Sequence, residues 1–179
     1  AAGAPVAYSA ADALSSPANA RKHLMLQEAA LDLDLQRLSD LKNLASKQSL
    51  KRDELLPKYQ DYVQRYCESG LNFPNRILVQ VMIWLFDTAE FEDGLELADF
   101  AIEQGQVMPE RFKRDIPTFV SDAVIDWAFD EYNARRSPEP YLSNTLPLVD
   151  GKWELTEQIP SKYHKLIGIR AMESEEWQT

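Results

Sequence analysis

Cysteine and histidine are scarce in this chain of 179 residues, which limits the disulfides and metal sites that it could form. The one cysteine, Cys67, excludes an internal disulfide, so we expect a reducing compartment. The two histidines, His23 and His164, have no cysteine or carboxylate partners at the spacing that a zinc site needs. The sequence therefore predicts neither a metal site nor a cofactor.

Long hydrophobic runs and phosphate-binding motifs are also missing. The longest apolar run, residues 77–86, is interrupted by Gln80 and is shorter than the roughly 20 residues that span a bilayer. No Gly-x-x-x-x-Gly-Lys-Ser/Thr sequence occurs, which argues against an ATPase of the P-loop kind. Residues 1–16 are rich in Ala and Ser and lack the basic and apolar regions of a secretory signal. We expect a flexible N-terminal segment there and no association with a membrane.

The net charge of −10 is concentrated in the middle of the chain. Residues 1–52 carry seven basic and five acidic side chains, and residues 53–136 carry eight basic and seventeen acidic ones. Residues 137–179 carry four basic and seven acidic side chains. Nucleic-acid-binding proteins usually show a basic excess, because contacts with phosphate supply most of the affinity. The charge therefore disfavours tight DNA binding by one subunit, and only the first third of the chain permits it.

Apolar periodicity predicts an all-α fold of about six helices, beginning with a long one. That helix is expected from Pro17 to about Ser46. A corner at residues 49–53 is expected next, followed by a second helix that Asp53 caps and Gly70 ends.

A helical hairpin is the clearest feature of the sequence, over residues 79–109. Its first helix has almost no polar face and must be buried. The second carries Phe91, Ala98 and Ile102 at helical spacing, with small Ala98 and Ala101 allowing close approach, and ends at Gly105.

The C-terminal third is expected to be less regular. We predict a helix over residues 118–135, a proline-rich linker over 137–147, and a last helix over about 160–171. The Asp150-Gly151 pair makes a small β-hairpin possible near residues 148–154. The expected division is a helical core and oligomerisation domain over 17–136, then a linker and C-terminal helix and tail over 137–179.

The hairpin residues resemble a block of the phage small terminase subunit family, of the gene-product-M type found in contractile-tailed phages. The resemblance is strongest over residues 54–119 and resumes at 162–169, about half of the chain. The matching positions that carry it are Trp84, Asp87, Thr88, Gly94, Leu95, Ala98, Met108 and Pro109.

The resemblance implies a role in packaging phage DNA in the host cytoplasm. A family member would recognise viral double-stranded DNA, assemble into a homo-oligomeric ring and regulate the large terminase subunit, which carries the ATPase and nuclease. A ring would repeat a modest basic segment around one surface, so that contacts with phosphate add up. Two alternatives remain open: a helical adaptor with no DNA role, which suits the negative charge, and a metal-dependent endonuclease, since the family is often described as the terminase's endonuclease subunit.

Two groups of basic residues are the candidates for contacting DNA, although each could simply be solvated surface charge. The first group lies on and after the long helix and comprises Arg21, Lys22, Lys42, Lys47, Lys51 and Arg52. The second lies in the loop between Pro109 and Pro117 and comprises Arg111, Lys113 and Arg114.

Two further surfaces are candidates for protein partners. A wide apolar stripe on the long helix could form the oligomer interface or be filled within the monomer; its residues are Leu24, Leu31, Leu35, Leu38 and Leu41. Met172 and Trp177 lie among acidic residues in the C-terminal tail and are candidates for docking onto the large subunit. The last helix before that tail could instead fold back and bury Leu166 and Ile169.

Catalytic residues are not identified. The carboxylates between Asp87 and Glu103 point in different directions on helices and suit a helix N-terminus electrostatically. The Asp150-Gly151-Lys152 triplet resembles the acid-x-Lys sequence of restriction-type nucleases, which requires a strand that this sequence does not favour. We expect no autonomous cleavage from these residues.

Overall fold

The computed structural model describes residue 14 and residues 16–176, with the side chain of Glu176 excepted, and over these residues the fold is all-α. The predicted flexible segment at residues 1–16 lies almost entirely outside the described residues. The chain forms two compact units, one reaching to Trp84 and the other starting at Leu85. None of the described helices combines the length and apolar character that crossing a bilayer requires. The helices are α1 (Pro17–Asp40), α2 (Leu44–Leu50), α3 (Leu56–Ser69), α4 (Arg76–Asp87), α5 (Phe91–Glu103), α6 (Ile116–Asn133), α7 (Tyr141–Pro147) and α8 (Gln158–Glu176).

Helix α1 ends at Asp40, so the prediction that it continues to Ser46 was wrong. Leu41 is extended, and the side chain of Asn43 accepts a 3.1 Å hydrogen bond from the Ser46 N–H at the start of α2. An asparagine side chain that binds the backbone three residues ahead favours a new helix start over continuation of the old one. The start of α1 agrees with the sequence, since Ser16 accepts from the Asn19 N–H ahead of Pro17.

No corner interrupts residues 49–53, and Asp53 caps nothing there. Helices α2 and α3 are continuous through one turn of π-helix, Lys51–Leu55, in which the Leu56 N–H donates to the carbonyl of Lys51 five residues back. This widened turn precedes Pro57, whose ring would clash with the carbonyl four residues back in a regular helix. The helix ends as predicted at Gly70, which adopts a left-handed φ of 71°.

The first unit has its core where α1 covers α3 and the first part of α4. Leu31, Tyr59 and Trp84 are fully buried, and the rings of Tyr59 and Trp84 lie 5.9 Å apart. The expectation that α4 is buried is confirmed, since residues 77–86 are all buried, including Gln80.

The second unit packs α5, α6, α7 and α8 around aromatic rings. The rings of Phe91 and Trp127 lie 4.8 Å apart, and Ala98 and Ala101 are buried. A Cβ at Gly94 would lie 3.2 Å from the Phe86 ring, so a side chain at this position on α5 would require that ring to shift.

Two expectations for the C-terminal third were wrong. The proposed linker at residues 137–147 contains α7, in which Leu142 is fully buried. In place of the possible β-hairpin near residues 148–154 there is a wide turn, Leu148–Lys152, closed by a 2.8 Å hydrogen bond from the Trp153 N–H to the Leu148 carbonyl, with Asp150 and Gly151 outside helical backbone angles. The Asp150-Gly151 pair does make a sharp turn, with Gly151 at φ 151°, but α7 leads into it and residues 153–157 after it form no strand.

Helix α8 folds back onto its own unit. Ile159, Tyr163 and Leu166 are buried, and the Tyr163 hydroxyl donates a 2.7 Å hydrogen bond to the Ser121 carbonyl on α6. Of the two residues named in the fold-back alternative, Leu166 is buried and Ile169 is partly exposed.

Candidate nucleic-acid interface

Four of the predicted DNA-binding residues lie together at the end of the α1–α2 hairpin. Lys42 is in the loop before α2, Lys47 is in α2, and Lys51 and Arg52 are in the π turn. Residues 42–52 contain no acidic side chain, and we call them the basic tip. Lys42 and Arg52 are exposed, and Lys47 and Lys51 are partly exposed.

The basic tip is held in place by an ionic network behind it. The Arg37 guanidinium on α1 bonds both Asp34, at 3.0 Å, and Glu54 in the π turn, at 2.8 Å. Because Glu54 closely follows the basic tip in sequence, this half-exposed pair links the end of α1 to the turn that carries Lys51 and Arg52.

Asp34 is the buried centre of that network, with its side chain only 3% exposed. Besides Arg37, it accepts a 2.6 Å hydrogen bond from Lys58 Nζ and a 2.7 Å hydrogen bond from the Tyr59 hydroxyl. Burial alone would raise the pKa of Asp34, but the hydrogen bonds from Lys58, Tyr59 and Arg37 outweigh it, so the pKa lies below the usual value. Asp34 therefore stays ionised and ties α1 to α3.

A groove of about 670 Å³ lies beside the basic tip. Apolar side chains of Leu41, Ala45 and Leu50 line it, together with Ser46 and Ser49. Its charged lining consists of Arg37, Asp40, Asp53 and Glu54. The four basic residues of the tip do not line this groove, and its three carboxylates disfavour a phosphate backbone. The groove is therefore not the candidate DNA surface, and the assignment of the four basic residues to DNA binding stays a prediction.

Arg21 and Lys22, the other two members of the first group of basic residues, lie away from the basic tip. Arg21 and Lys22 are exposed in the first turns of α1, and Lys42 follows the end of that helix. At about 1.5 Å per residue, Lys22 and Lys42 lie roughly 30 Å apart along α1. Their part in DNA binding stays a prediction.

The second group lies in the loop before α6 and is partly engaged with its surroundings. The Arg114 guanidinium binds Asp122 at 2.6 Å, and the Arg111 guanidinium lies 4.9 Å from the centre of the Phe112 ring. Asp115 accepts a 2.9 Å hydrogen bond from the Thr118 N–H and caps α6. Arg111 and Lys113 are exposed, and this group too stays a prediction.

The residues predicted to form protein interfaces, on the leucine stripe of α1 and in the C-terminal tail, differ in their exposure. Leu31 and Leu38 are buried within the chain, and Leu24, Leu35 and Leu41 are half-buried. Met172 is 61% exposed on the last turns of α8. Trp177 lies outside the described residues. The assignment of these positions to interfaces stays a prediction.

Metal-binding geometry is absent from the described part of the chain, where no three His, Cys, Asp or Glu side chains converge. Both charged members of the acid-x-Lys triplet contact other side chains of the same unit. Asp150 lies 2.6 Å from His164 Nε2, and Lys152 Nζ lies 3.2 Å from Asp99.

The hydrogen bonds that Arg37, Lys58 and Tyr59 donate to Asp34 were not predicted from the sequence. The signal was present, since an aspartate in the apolar stripe of a helix needs partners if it is buried. The identity of those partners depends on the packing of α1 against α3, which periodicity does not specify.

The fold and the clustered basic residues define an all-α protein with a basic segment at the end of a helical hairpin. The chain belongs to the phage small terminase subunit family, whose model matches residues 28–158. This match begins within α1 and thus covers the basic tip, which the resemblance over residues 54–119 did not.

Two curated relatives agree with the family. The chain is 36% identical over 147 residues to a protein of Haemophilus phage HP1 (strain HP1c1) described as "Probable terminase, endonuclease subunit". It is 30% identical over 132 residues to a protein of Escherichia phage P2 described as "Terminase, endonuclease subunit". These matches cover 82% and 72% of this chain, and 52% and 53% of the relatives. The chain thus spans about half the length of the curated relatives it matches. No solved structure matches it.

Proposed function

We propose that this chain is the small subunit of a phage DNA-packaging terminase, which binds viral double-stranded DNA and regulates the large subunit in the host cytoplasm. The observation that carries the proposal is the family match over residues 28–158, which includes the basic tip and its supporting network. Lysine and arginine on an exposed helical turn are suited to contacts with phosphate.

Assembly into a homo-oligomeric ring would reconcile the proposal with the net charge of −10. One basic tip supplies at most four cationic side chains, too few for tight binding at physiological salt. Several tips on one particle bind the same DNA with an increased effective concentration. Binding should then be weak for each subunit and steeply dependent on salt.

The contact with the large subunit is proposed for the C-terminal tail, residues 171–179. Met172 is exposed, and acidic residues surround it and Trp177 in the sequence. An acidic peptide with large apolar side chains suits a basic groove on a partner.

The test is a titration of phage double-stranded DNA at several salt concentrations, with the particle mass measured by light scattering. The proposal predicts a multimer whose affinity falls linearly with salt on logarithmic axes. A monomer with no DNA affinity at low salt would instead support a helical adaptor.

The endonuclease alternative is favoured by the descriptions of the two relatives. Those proteins are about twice the length matched here, so their activity could depend on residues outside the match. Incubation of supercoiled DNA with this chain and Mg²⁺ tests the alternative. Nicking that Asp150→Asn abolishes would assign cleavage to the acid-x-Lys triplet.

A further inference from the structure

A polar pocket of about 440 Å³ lies in the second unit, between the end of α6 and the last turns of α8. Arg135, Arg136 and Arg170 line it, and Glu173 is the one acidic side chain of its lining. The remaining lining side chains are polar and uncharged. We call this the arginine pocket. None of the predicted DNA-binding residues belongs to it.

The turn that ends α6 brings two of these arginines to the pocket. The Arg136 N–H donates a 2.8 Å hydrogen bond to the Glu131 carbonyl, and the Arg135 N–H donates a 3.0 Å hydrogen bond to the Tyr132 carbonyl. Arg135 has a φ of 59°, in the left-handed region where glycine is usual after a helix. Backbone strain of this kind is concentrated at sites of function. The fold alone would favour glycine here, so folding does not explain the Arg135 side chain.

Carboxylates outside the lining hold the other two guanidinium groups in place. Glu131 accepts hydrogen bonds from Nε and Nη2 of Arg136 at 2.7 and 2.8 Å. Glu139 accepts a hydrogen bond from Nη1 of Arg170. Each guanidinium keeps N–H groups that these bonds do not use, because arginine has five donors. Both groups are therefore positioned before a ligand arrives, which reduces the side-chain entropy that binding costs.

The pocket also contains donors that the fold does not use. No ion pair or side-chain hydrogen bond joins Arg135 or Asn133 to another residue that the structure describes. The Ser137 hydroxyl oxygen accepts from the Glu139 N–H at 3.2 Å and keeps its own hydrogen to donate. Donors from the end of α6 and from α8 thus surround one polar space.

We propose that the arginine pocket binds a single phosphate group. A phosphate group offers at least three acceptor oxygens on different sides, which suits donors that come from two helices, whereas a carboxylate has two oxygens in one plane. Arg135 makes the main contact through its planar fork of N–H groups. Because Glu131 and Glu139 offset the charges of Arg136 and Arg170, the uncompensated cation is Arg135, and binding should be of millimolar strength.

This inference goes beyond the proposed function, because the basic tip belongs to the first unit and the arginine pocket to the second. A nucleotide or another small ester presents the same phosphate oxygens as a DNA backbone. The shared chemistry is therefore the phosphate group, and the test includes both sources.

The first test is equilibrium dialysis of the full chain against radiolabelled inorganic phosphate at low ionic strength. We expect saturable binding by the parent protein and at least about fivefold weaker binding by Arg135→Gln. Arg65→Gln is the matched control, since it removes one arginine charge from the surface of α3, where the Arg65 side chain is 47% exposed. Its phosphate affinity should equal that of the parent protein.

Two further variants separate binding from folding. Arg135→Gly should raise the unfolding temperature by about 2 °C, because glycine relieves the positive φ, and should still weaken phosphate binding as Arg135→Gln does. Glu173→Gln removes the carboxylate from the pocket but keeps an acceptor for the Tyr132 hydroxyl, which lies 2.6 Å from Glu173. Glu173→Gln should tighten phosphate binding about twofold to fivefold, a gain that a misfolded variant would not show.

The absence of saturable phosphate binding by the parent protein, or equal weakening in Arg135→Gln and Arg65→Gln, would overturn the assignment of the pocket. Competition between phosphate and a short DNA duplex, with duplex affinity reduced in Arg135→Gln, would assign the phosphate to a DNA backbone. Phosphate binding without such competition would assign it to a small ester. Salt-dependent duplex binding that is unaffected in Arg135→Gln would retain the proposed function even if the pocket bound no phosphate.

Discussion

Lys58 Nζ on α3 lies 2.6 Å from an Asp34 carboxylate oxygen on α1, and the Asp34 side chain is 3% exposed whereas that of Lys58 is 47% exposed. A carboxylate is thus buried in the helix interface while its cationic partner keeps access to water. The cost of desolvation falls mainly on Asp34, and the two additional hydrogen bonds from Tyr59 and Arg37 offset it. The network ties α1 to α3 and, through the more exposed pair of Arg37 and Glu54, links α1 to the turn that carries the basic tip.

Asp34→Asn should destabilise the chain by about 1–3 kcal/mol, because it leaves Lys58 and Arg37 without their buried acceptor charge. Urea unfolding followed by circular dichroism measures the change. Asp61→Asn is the matched control, since Asp61 is 77% exposed and pairs with Arg65 on the surface of α3. Asp61→Asn should lower the free energy of unfolding by less than about 0.5 kcal/mol. Equal effects of the two variants would contradict the network.

Asp34 should also make stability depend on acidity. Its pKa is lower in the folded chain than in the unfolded one, so the unfolded chain binds the proton more readily. The stabilisation is complete above the unfolded pKa of about 4 and is lost as pH falls through the folded value. Denaturation midpoints from pH 5 to pH 2 should fall less steeply for Asp34→Asn than for the parent protein.

Protonation of His23 should lower the stability of the fold in a separate, higher range of pH. Burial lowers its pKa, aided by Arg65 and opposed by Asp61, and its ring lies 5.1 Å from that of Tyr62. The unfolded chain takes up this proton below about pH 6.5, so stability should decline as pH falls from 7 to 5. His23→Gln should flatten this part of the profile and leave the decline below pH 4 in place. An unchanged profile between pH 7 and 5 would exclude His23 as its source.

Replacing Lys47 and Arg52 by Ala should weaken DNA binding and reduce the salt slope by about one unit for each phosphate that is no longer neutralised. The matched control is K162A/K165A, which removes two charges from exposed positions on α8. Fluorescence anisotropy with labelled duplex DNA at several salt concentrations gives both slopes. If both double variants lower the slope equally, overall charge and not the basic tip determines binding.

Deleting residues 171–179 should abolish stimulation of the large subunit's ATPase while leaving particle mass and DNA binding intact. The deletion also removes Glu173, which accepts a 2.6 Å hydrogen bond from the Tyr132 hydroxyl. Tyr132→Phe removes that hydrogen bond and keeps the tail, so it should stimulate normally. Full stimulation by the truncated chain would place the docking surface elsewhere.

The sequence predicted those features of the fold that depend on local chemistry. Gly70 ends α3 with a left-handed φ, and the unbroken apolar character of α4 correctly indicated burial. The end of α1 and the π turn were missed for different reasons. Asn43 is a capping residue without a glycine or proline beside it, and the π turn depends on how Pro57 is accommodated in a continuing helix.

The candidate site could be predicted only as a set of residues. The basic residues were identifiable from their type, but their grouping required the positions of α1, α2 and the π turn. Arg21 and Lys22 were placed with Lys47 by sequence proximity, and the length of α1 separates them. Three prolines suggested a linker over residues 137–147, because prolines disfavour helix interiors. Pro138 and Pro140 in fact precede α7, and Pro147 is its last residue, so only the last of the three falls within the helix.

The continuous helix from Leu44 to Ser69 connects the basic tip to the core of the first unit. It has about 26 residues and measures roughly 39 Å, with neither a glycine nor a chain break along it. The buried side chains of Tyr59, Tyr62 and Tyr66 anchor the α3 part of this helix in the core of the first unit, so a load applied at Lys47 would be resisted by that core. Gly70 has left-handed backbone geometry where the helix ends. The Tyr66 hydroxyl holds the following turn by hydrogen bonds with the backbone of Phe73.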